Sequence, residues 1–161
     1  MTGQQTHICQ GQQDFPSEDQ LRAFANQFAS VLEAPLVIWL EGDLGAGKTS
    51  FARAMIHSLG YEGGVKSPTY GLLEHYELSA FEVLHLDLYR IGDPGELEFL
   101  GIEDLINKNS IVLVEWPERG GDVLPSPDFI FRFAYAGSGR ELHWFAHSSM
   151  AEKVASRFIN T

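Results

Sequence analysis

The chain has 161 residues, 44% of them hydrophobic and 20% charged, which is the profile of a globular chain long enough for one domain with a real core. Its formal net charge of −11, from 22 acidic and 11 basic residues, argues against a broad nucleic-acid-binding face, which needs clustered Lys and Arg. The one cysteine, Cys9, excludes an intramolecular disulfide framework and fits a reducing compartment, and no apolar run approaches the ~18 residues of a membrane helix.

Residues 1–14 are expected to be loosely ordered, with Thr6-His7-Ile8-Cys9 as a candidate edge strand. The stretch Met1 to Gln13 is polar and has no Lys or Arg, unlike a signal peptide, so the expected location is cytoplasmic. Ser17 is a good N-cap with Glu18 and Asp19 behind it. Leu21, Phe24, Ala25, Phe28, Val31 and Leu32 then trace an amphipathic helix that ends before Pro35. Leu36-Val37-Ile38-Trp39-Leu40 reads as a buried parallel strand. Phe51, Ala52, Met55, Ile56 and Leu59 give a helix over Thr49 to Leu59, stopped by Gly60. After a loop to Pro68, Tyr70 to Leu78 and Phe81 to Leu88 read as an antiparallel hairpin. Pro94 to Asn107 suggests one or two short helices around Gly101, and Ile111-Val112-Leu113-Val114-Glu115 another buried strand. Glu118 to Pro127 is a loop. Phe129 to Tyr135 and Glu141 to His147 flank a hairpin signal at Gly137-Ser138-Gly139, and a helix over Met150 to Ile159 closes the chain. With Gly42 to Thr49 matching G-x-x-x-x-G-K-[ST] between a strand and a helix, the expected fold is a single three-layer α/β domain, residues 1–161, of the P-loop NTPase kind. Its sheet is mixed, with parallel strands around the loop after Leu40 and antiparallel hairpins extending it.

That loop is where the chemistry concentrates. Gly42-Asp43-Leu44-Gly45-Ala46-Gly47-Lys48-Thr49 fits G-x-x-x-x-G-K-[ST] at every fixed position, between a strand and a helix. The glycines let successive backbone N–H groups point inward at anionic oxygens, and the following helix adds the positive end of its dipole. Lys48 has the reach for the outer phosphates and the Thr49 hydroxyl is a Mg²⁺ ligand type. A P-loop also needs an acid at the end of an apolar strand. Asp87 and Glu115 both qualify. Either alone could be a solvated strand-end acid; the pair beside a P-loop reads better as a Mg²⁺ acid and a water-positioning acid. Ser67-Pro68-Thr69-Tyr70 offers hydroxyls for a switch-like loop, or is simply a turn into the next strand.

Four motifs in order, the P-loop, Ser67-Pro68-Thr69-Tyr70, His85-Leu86-Asp87-Leu88-Tyr89-Arg90 and Glu115-Trp116-Pro117-Glu118, give the chain a resemblance to the TsaE (YjeE) family. These are bacterial P-loop ATPases of the tRNA threonylcarbamoyladenosine machinery. The resemblance runs from about Ser17 to the last hairpin. It implies binding and weak hydrolysis of ATP with Mg²⁺, activated by the partner proteins TsaB and TsaD, with tRNA engaged only through the complex. It further implies that TsaD transfers the threonylcarbamoyl group to N6 of adenosine 37, and that the ATPase subunit is needed for repeated turnover. Carried onto this chain, Gly42 to Thr49 and Ser50 bind nucleotide, with Trp116 flanking it. Thr49 and Asp87 hold Mg²⁺, Thr69 is the switch-like threonine, and Glu115 is the catalytic acid or a member of the metal shell. Tyr70 stands where phenylalanine is commoner, and the ring is kept. Residues 1–14 and the closing helix inherit no role.

Competing readings are weaker. Asn107-Lys108-Asn109-Ser110 resembles the guanine-reading N-K-x-D but lacks its Asp, so it reads as a polar turn and favours ATP over GTP. His143 and His147 lack a third metal ligand at useful spacing and read as a sheet-surface pair. His85, in an apolar strand, reads as a satisfied core histidine. Arg90 and Arg119 are arginine-finger candidates or partners of surface acids. A small-molecule kinase would need an arginine-bearing lid, whereas Pro94 to Asn107 carries Glu96, Glu98, Glu103 and Asp104 and no Arg. A nucleotide-dependent binding switch, with hydrolysis as its timer, is the third class.

Overall fold

The structure is a computed structural model that describes residues 9–66 and 72–159. The strands are β1 (Cys9–Phe15), β2 (Leu36–Gly42), β3 (Leu73–Glu77), β4 (Glu82–Asp87), β5 (Ser110–Glu115), β6 (Phe129–Ala136) and β7 (Gly139–Ala146). The helices are α1 (Glu18–Val31), α2 (Lys48–Ser58), α3 (Gly95–Leu100), α4 (Ile102–Leu105) and α5 (Ser149–Ile159). The strands form one seven-stranded sheet in the order β1-β7-β6-β2-β5-β4-β3. The centre is parallel: β2 pairs with β6 on one side and β5 on the other, and β5 with β4. The flanks are antiparallel, β3 on β4, β7 on β6 and β1 on β7. The mixed α/β fold expected from the sequence is therefore the fold observed.

Period-2 alternation sends each central strand's side chains to two different cores. Leu36, Ile38 and Leu40 of β2, Ile111 and Leu113 of β5 and Val83 of β4 join α1, α2 and α5 on one face. Val37, Val112, Val114, Leu84 and Leu86 join Leu97 of α3 and Ile102 of α4 on the other. The first core is aromatic. Phe28 lies 5.2 Å from Phe131, 5.4 Å from Phe129 and 5.5 Å from Phe158, each ring meeting it edge to face, the arrangement that ring quadrupoles favour. Ser17 caps α1 as expected, its hydroxyl accepting from the Gln20 N–H at 3.4 Å.

Two expectations are corrected. Residues 9–15 are not loosely ordered: β1 pairs along its whole length with β7, from Cys9 opposite Ala146 to Phe15 opposite Arg140. The rest of the candidate strand Thr6-His7-Ile8-Cys9 lies outside the described residues, as do Ser67, Pro68, Thr69 and Tyr70. The final hairpin is also tighter than expected. β7 begins at Gly139, so only Gly137 and Ser138 turn the chain, with Gly137 at φ +62°, as a two-residue hairpin turn requires. The expected loop Glu118 to Pro127 contains the short 3-10 turn Gly121–Val123 and the end of another, Pro117–Arg119.

Candidate nucleotide site

The P-loop leaves the C-terminal end of β2 in the middle of the sheet, where parallel α/β sheets place their ligands. Gly42, Gly45 and Gly47 have φ of +139°, +79° and +118°, a region that L side chains avoid. At Gly42 space forbids a side chain as well, since a Cβ would stand 2.4 Å from the Phe133 carbonyl oxygen of β6. Tyr135 Oη donates to the Leu44 carbonyl at 2.9 Å and pins the crest of the loop. Gly47 opens α2 without a side-chain cap. The first N–H groups of α2 are therefore left for an external acceptor, the usual basis of an anion site.

The same alternation that builds the core brings the polar groups together. His85 and Asp87 share the α2-facing side of β4 with Val83, and Glu115 shares that side of β5 with Ile111 and Leu113. Asp87 stands directly across from Glu115. Glu115 is buried and uses both carboxylate oxygens: Oε1 accepts from Thr49 Oγ1 at 2.7 Å, and Oε2 lies 2.7 Å from Nε2 of the fully buried His85. His85 Nδ1 has no hydrogen-bond partner among the described residues. Asp87 Oδ1 accepts from the Tyr89 N–H at 3.0 Å. Burial raises the Asp87 carboxyl above the usual carboxylate range, and the Glu115 charge adds to this, against the Tyr89 N–H, His85 and Lys48.

Lys48 is only 4% exposed. Its ammonium donates to the Gly42 carbonyl and lies 3.5 Å from the centre of the Trp116 ring. Burial lowers its pKa, partly offset by Glu115, Glu118, Asp87 and Asp43. Trp116 holds a left-handed backbone at φ +58°, an uncommon state for a bulky residue and one that clusters at functional sites. Its ring packs 5.0 Å from Tyr89, and Arg119 reaches over both rings while donating to the Tyr89 carbonyl at 2.6 Å.

These groups line a cavity of about 490 Å³. Of the residues expected to bind nucleotide or metal, Leu44, Gly45, Gly47, Lys48, Thr49, Ser50, Asp87, Glu115 and Trp116 line it. Gly42, Asp43 and Ala46 shape the loop; the Asp43 carbonyl accepts from the Ala46 N–H at 3.0 Å. Thr69 lies outside the described residues. Tyr89, which was given no role, and Arg90, weighed as an arginine finger or a partner of a surface acid, also line the cavity, and both stand in the quoted motif after Asp87. The Thr49 hydroxyl and two carboxylates form an all-oxygen donor set, which suits a hard cation such as Mg²⁺.

The polar turn at Asn107 lies at the opposite end of β5 from Glu115. Asn107 Oδ1 accepts from the Asn109 N–H at 2.8 Å, and Ser110 Oγ from the Asn107 N–H at 2.9 Å. A turn closed on itself, a strand's length away, has no access to a base in the cavity. His143 pairs with Glu141 at 3.4 Å. Among the described residues, the three-ligand cluster of metal-binding type is His75, Glu77 and Glu82, and His143 is not part of it.

A family model described as threonylcarbamoyl adenosine biosynthesis protein TsaE matches residues 15–142. The chain belongs to the TsaE family. The match takes in the P-loop, both strand-end acids and Trp116, and leaves out most of β1 and all of α5. The tRNA threonylcarbamoyladenosine biosynthesis protein TsaE of Haemophilus influenzae is 40% identical over 153 residues, covering 92% of this chain and 97% of its own. The TsaE of Borreliella burgdorferi is 35% identical over 79% of this chain and 93% of its own. The crystal structure of YdiB from Bacillus subtilis superposes with a TM-score of 0.79 over 96% of this chain and 98% of its own. At 24% identity it bears on the fold alone.

Proposed function

We propose that this member of the TsaE family binds ATP with Mg²⁺ in the P-loop cavity and hydrolyses it weakly on its own and faster with partners. In this reading it is the ATP-using subunit that acts with TsaB and TsaD to form N6-threonylcarbamoyladenosine at position 37 of tRNA. The observation that carries the proposal is the bond from Thr49 Oγ1 to Glu115 Oε1, with Asp87 on the next strand. It gathers P-loop hydroxyl and strand-end acids at one point.

The loop N–H groups and the start of α2 receive the phosphates. Lys48 exchanges the Gly42 carbonyl and the Trp116 ring for phosphate oxygens. Trp116 and Tyr89 wall the nucleotide. Asp87 and Thr49 would hold the metal, which would offset the charge of the phosphate oxygens. Glu115 orients the attacking water, with its carboxylate held in place by His85. Thr69 is given the switch role by the family resemblance alone. The acidic charge of the chain fits contact with tRNA through the complex. Among the described residues no helix is long and apolar enough to cross a membrane.

Calorimetric titration of ATP and GTP tests the site. Wild-type protein is expected to take ATP in preference to GTP when Mg²⁺ is present. Lys48→Ala is expected to lose ATP binding, because a charge-assisted contact to the outer phosphates is gone. Wild-type affinity in Lys48→Ala, or a clear preference for GTP, would count against the assignment.

A further inference from the structure

Away from the cavity, α3 presents an apolar side chain to water that the fold does not use. Its two hydrophobic faces differ sharply: Leu97 is fully buried in the core beneath, whereas Phe99 is 95% exposed and Leu100 is 37% exposed. Scattered exposed hydrophobics need no explanation. Phe99, however, forms one wall of an apolar depression of about 520 Å³ with Leu100 and with Leu72 from the chain entering β3. The rim of the depression is acidic. Asp93 and Glu96 line it, Glu98, Glu103 and Asp104 line a neighbouring cavity, and residues 91–107 contain no Lys or Arg. An exposed apolar patch with a polar rim is the anatomy of a protein interface, in which an aromatic anchor supplies most of the affinity.

We propose that the Phe99 shelf is the docking surface for a protein partner that offers an apolar socket rimmed by Lys and Arg. This rests on the reading above that the chain works in a protein assembly. Charge complementarity selects the occupant: two carboxylates on the rim, with three more on the adjoining stretch of chain and no Lys or Arg within it, repel a phosphate backbone and attract a basic protein rim. A second copy of this chain, with net charge −11, is disfavoured for the same reason. The shelf also adjoins the nucleotide site. The Leu72 carbonyl accepts the backbone N–H of Asp87 at 3.0 Å, and Leu72 itself sits at φ +64°. A partner seated against Leu72 therefore bears on the main chain that positions Asp87. This gives partner docking a route to the rate of hydrolysis.

The test uses the full chain with purified TsaB–TsaD complex and no tRNA. Affinity is measured for wild type, Phe99→Asp and the double reversal Glu96→Lys, Glu98→Lys, at low and high salt. Each variant's ATP binding and basal hydrolysis are measured without partners. The expected result is at least tenfold weaker partner binding for Phe99→Asp with unchanged ATP binding and basal hydrolysis. The double reversal is expected to bind more weakly and with less salt dependence. Equal binding by wild type and Phe99→Asp would overturn the surface while leaving the partner reading in place. Failure of wild type itself to bind the complex would overturn both. An effect of Phe99→Asp confined to self-association or to tRNA retention would assign the shelf to a different occupant and overturn the proposal.

Discussion

Glu115 is the residue on which the site turns, because among the described residues it alone touches both the P-loop hydroxyl and a buried histidine. Its role and that of Asp87 separate by how their variants fail. Asp87→Ala is expected to weaken Mg²⁺-dependent ATP binding, since a hard cation loses an anionic partner. Glu115→Gln keeps the shape and the acceptor for Thr49. It is expected to leave binding nearly intact and to lower turnover on the order of 10²-fold, the scale of a positioned acid or base. Equal binding defects in the two would make Glu115 a metal ligand instead. His85→Leu is expected to lower turnover on the order of tenfold, as loss of an orienting partner does, and His85→Gln to restore part of it by donating to Glu115 from nearly the same place. ATP affinity and hydrolysis, measured with TsaB and TsaD present, distinguish these outcomes. Much of this was legible in the chain: the motif and two strand-end acids stand in plain sequence. The pairing was not. His85 reads as a core histidine because an apolar strand shows its burial and not its neighbour. Sheet order decides the neighbour, and β5 lies between β2 and β4, so Glu115 and not Asp87 meets Thr49.

At the scale of elements, periodicity found the strands that have a buried face and missed the one that does not. In β1, Cys9–Phe15, only Phe15 is buried, Cys9 packs half-buried against the core, and the rest is polar or glycine. Its order comes from backbone pairing with β7, which leaves no alternation to read. Gly11 is the contact that lets it lie flat: a Cβ there would stand 2.3 Å from the Trp144 ring, itself buried. Gly11→Val is therefore expected to lift β1 from the edge at a cost of about 1–3 kcal/mol, the usual penalty of overpacking. Denaturant unfolding would show the loss, and hydrogen exchange would place it in residues 9–15. ATP binding should not change, because the P-loop is on the far side of β6 and β7 from β1. Unchanged stability in Gly11→Val would mean that β1 contributes little to the fold. Helix α1 illustrates the opposite case, since both its cap at Ser17 and its buried face were visible in sequence.

The whole molecule sets a parallel centre between antiparallel flanks, with the phosphate loop at the middle strand. The P-loop and the motifs at His85 and Glu115 are far apart in sequence and converge because their strands β2, β5 and β4 are neighbours in the parallel centre of the sheet. The sequence marks Asp87 and Glu115 only as strand-end acids, and the strand order and register show that they meet beside the P-loop. In the proposed function this site spends ATP to drive repeated threonylcarbamoylation of tRNA. The most direct measurement is multiple-turnover formation of N6-threonylcarbamoyladenosine by TsaB and TsaD, given an already activated threonylcarbamoyl donor so that ATP has no other use. The product is quantified with wild-type protein, with Glu115→Gln and with no added chain. The account predicts product well beyond one equivalent of TsaD with wild type and ATP, and about one equivalent with Glu115→Gln or without the chain. Equal yields in all three reactions would contradict it.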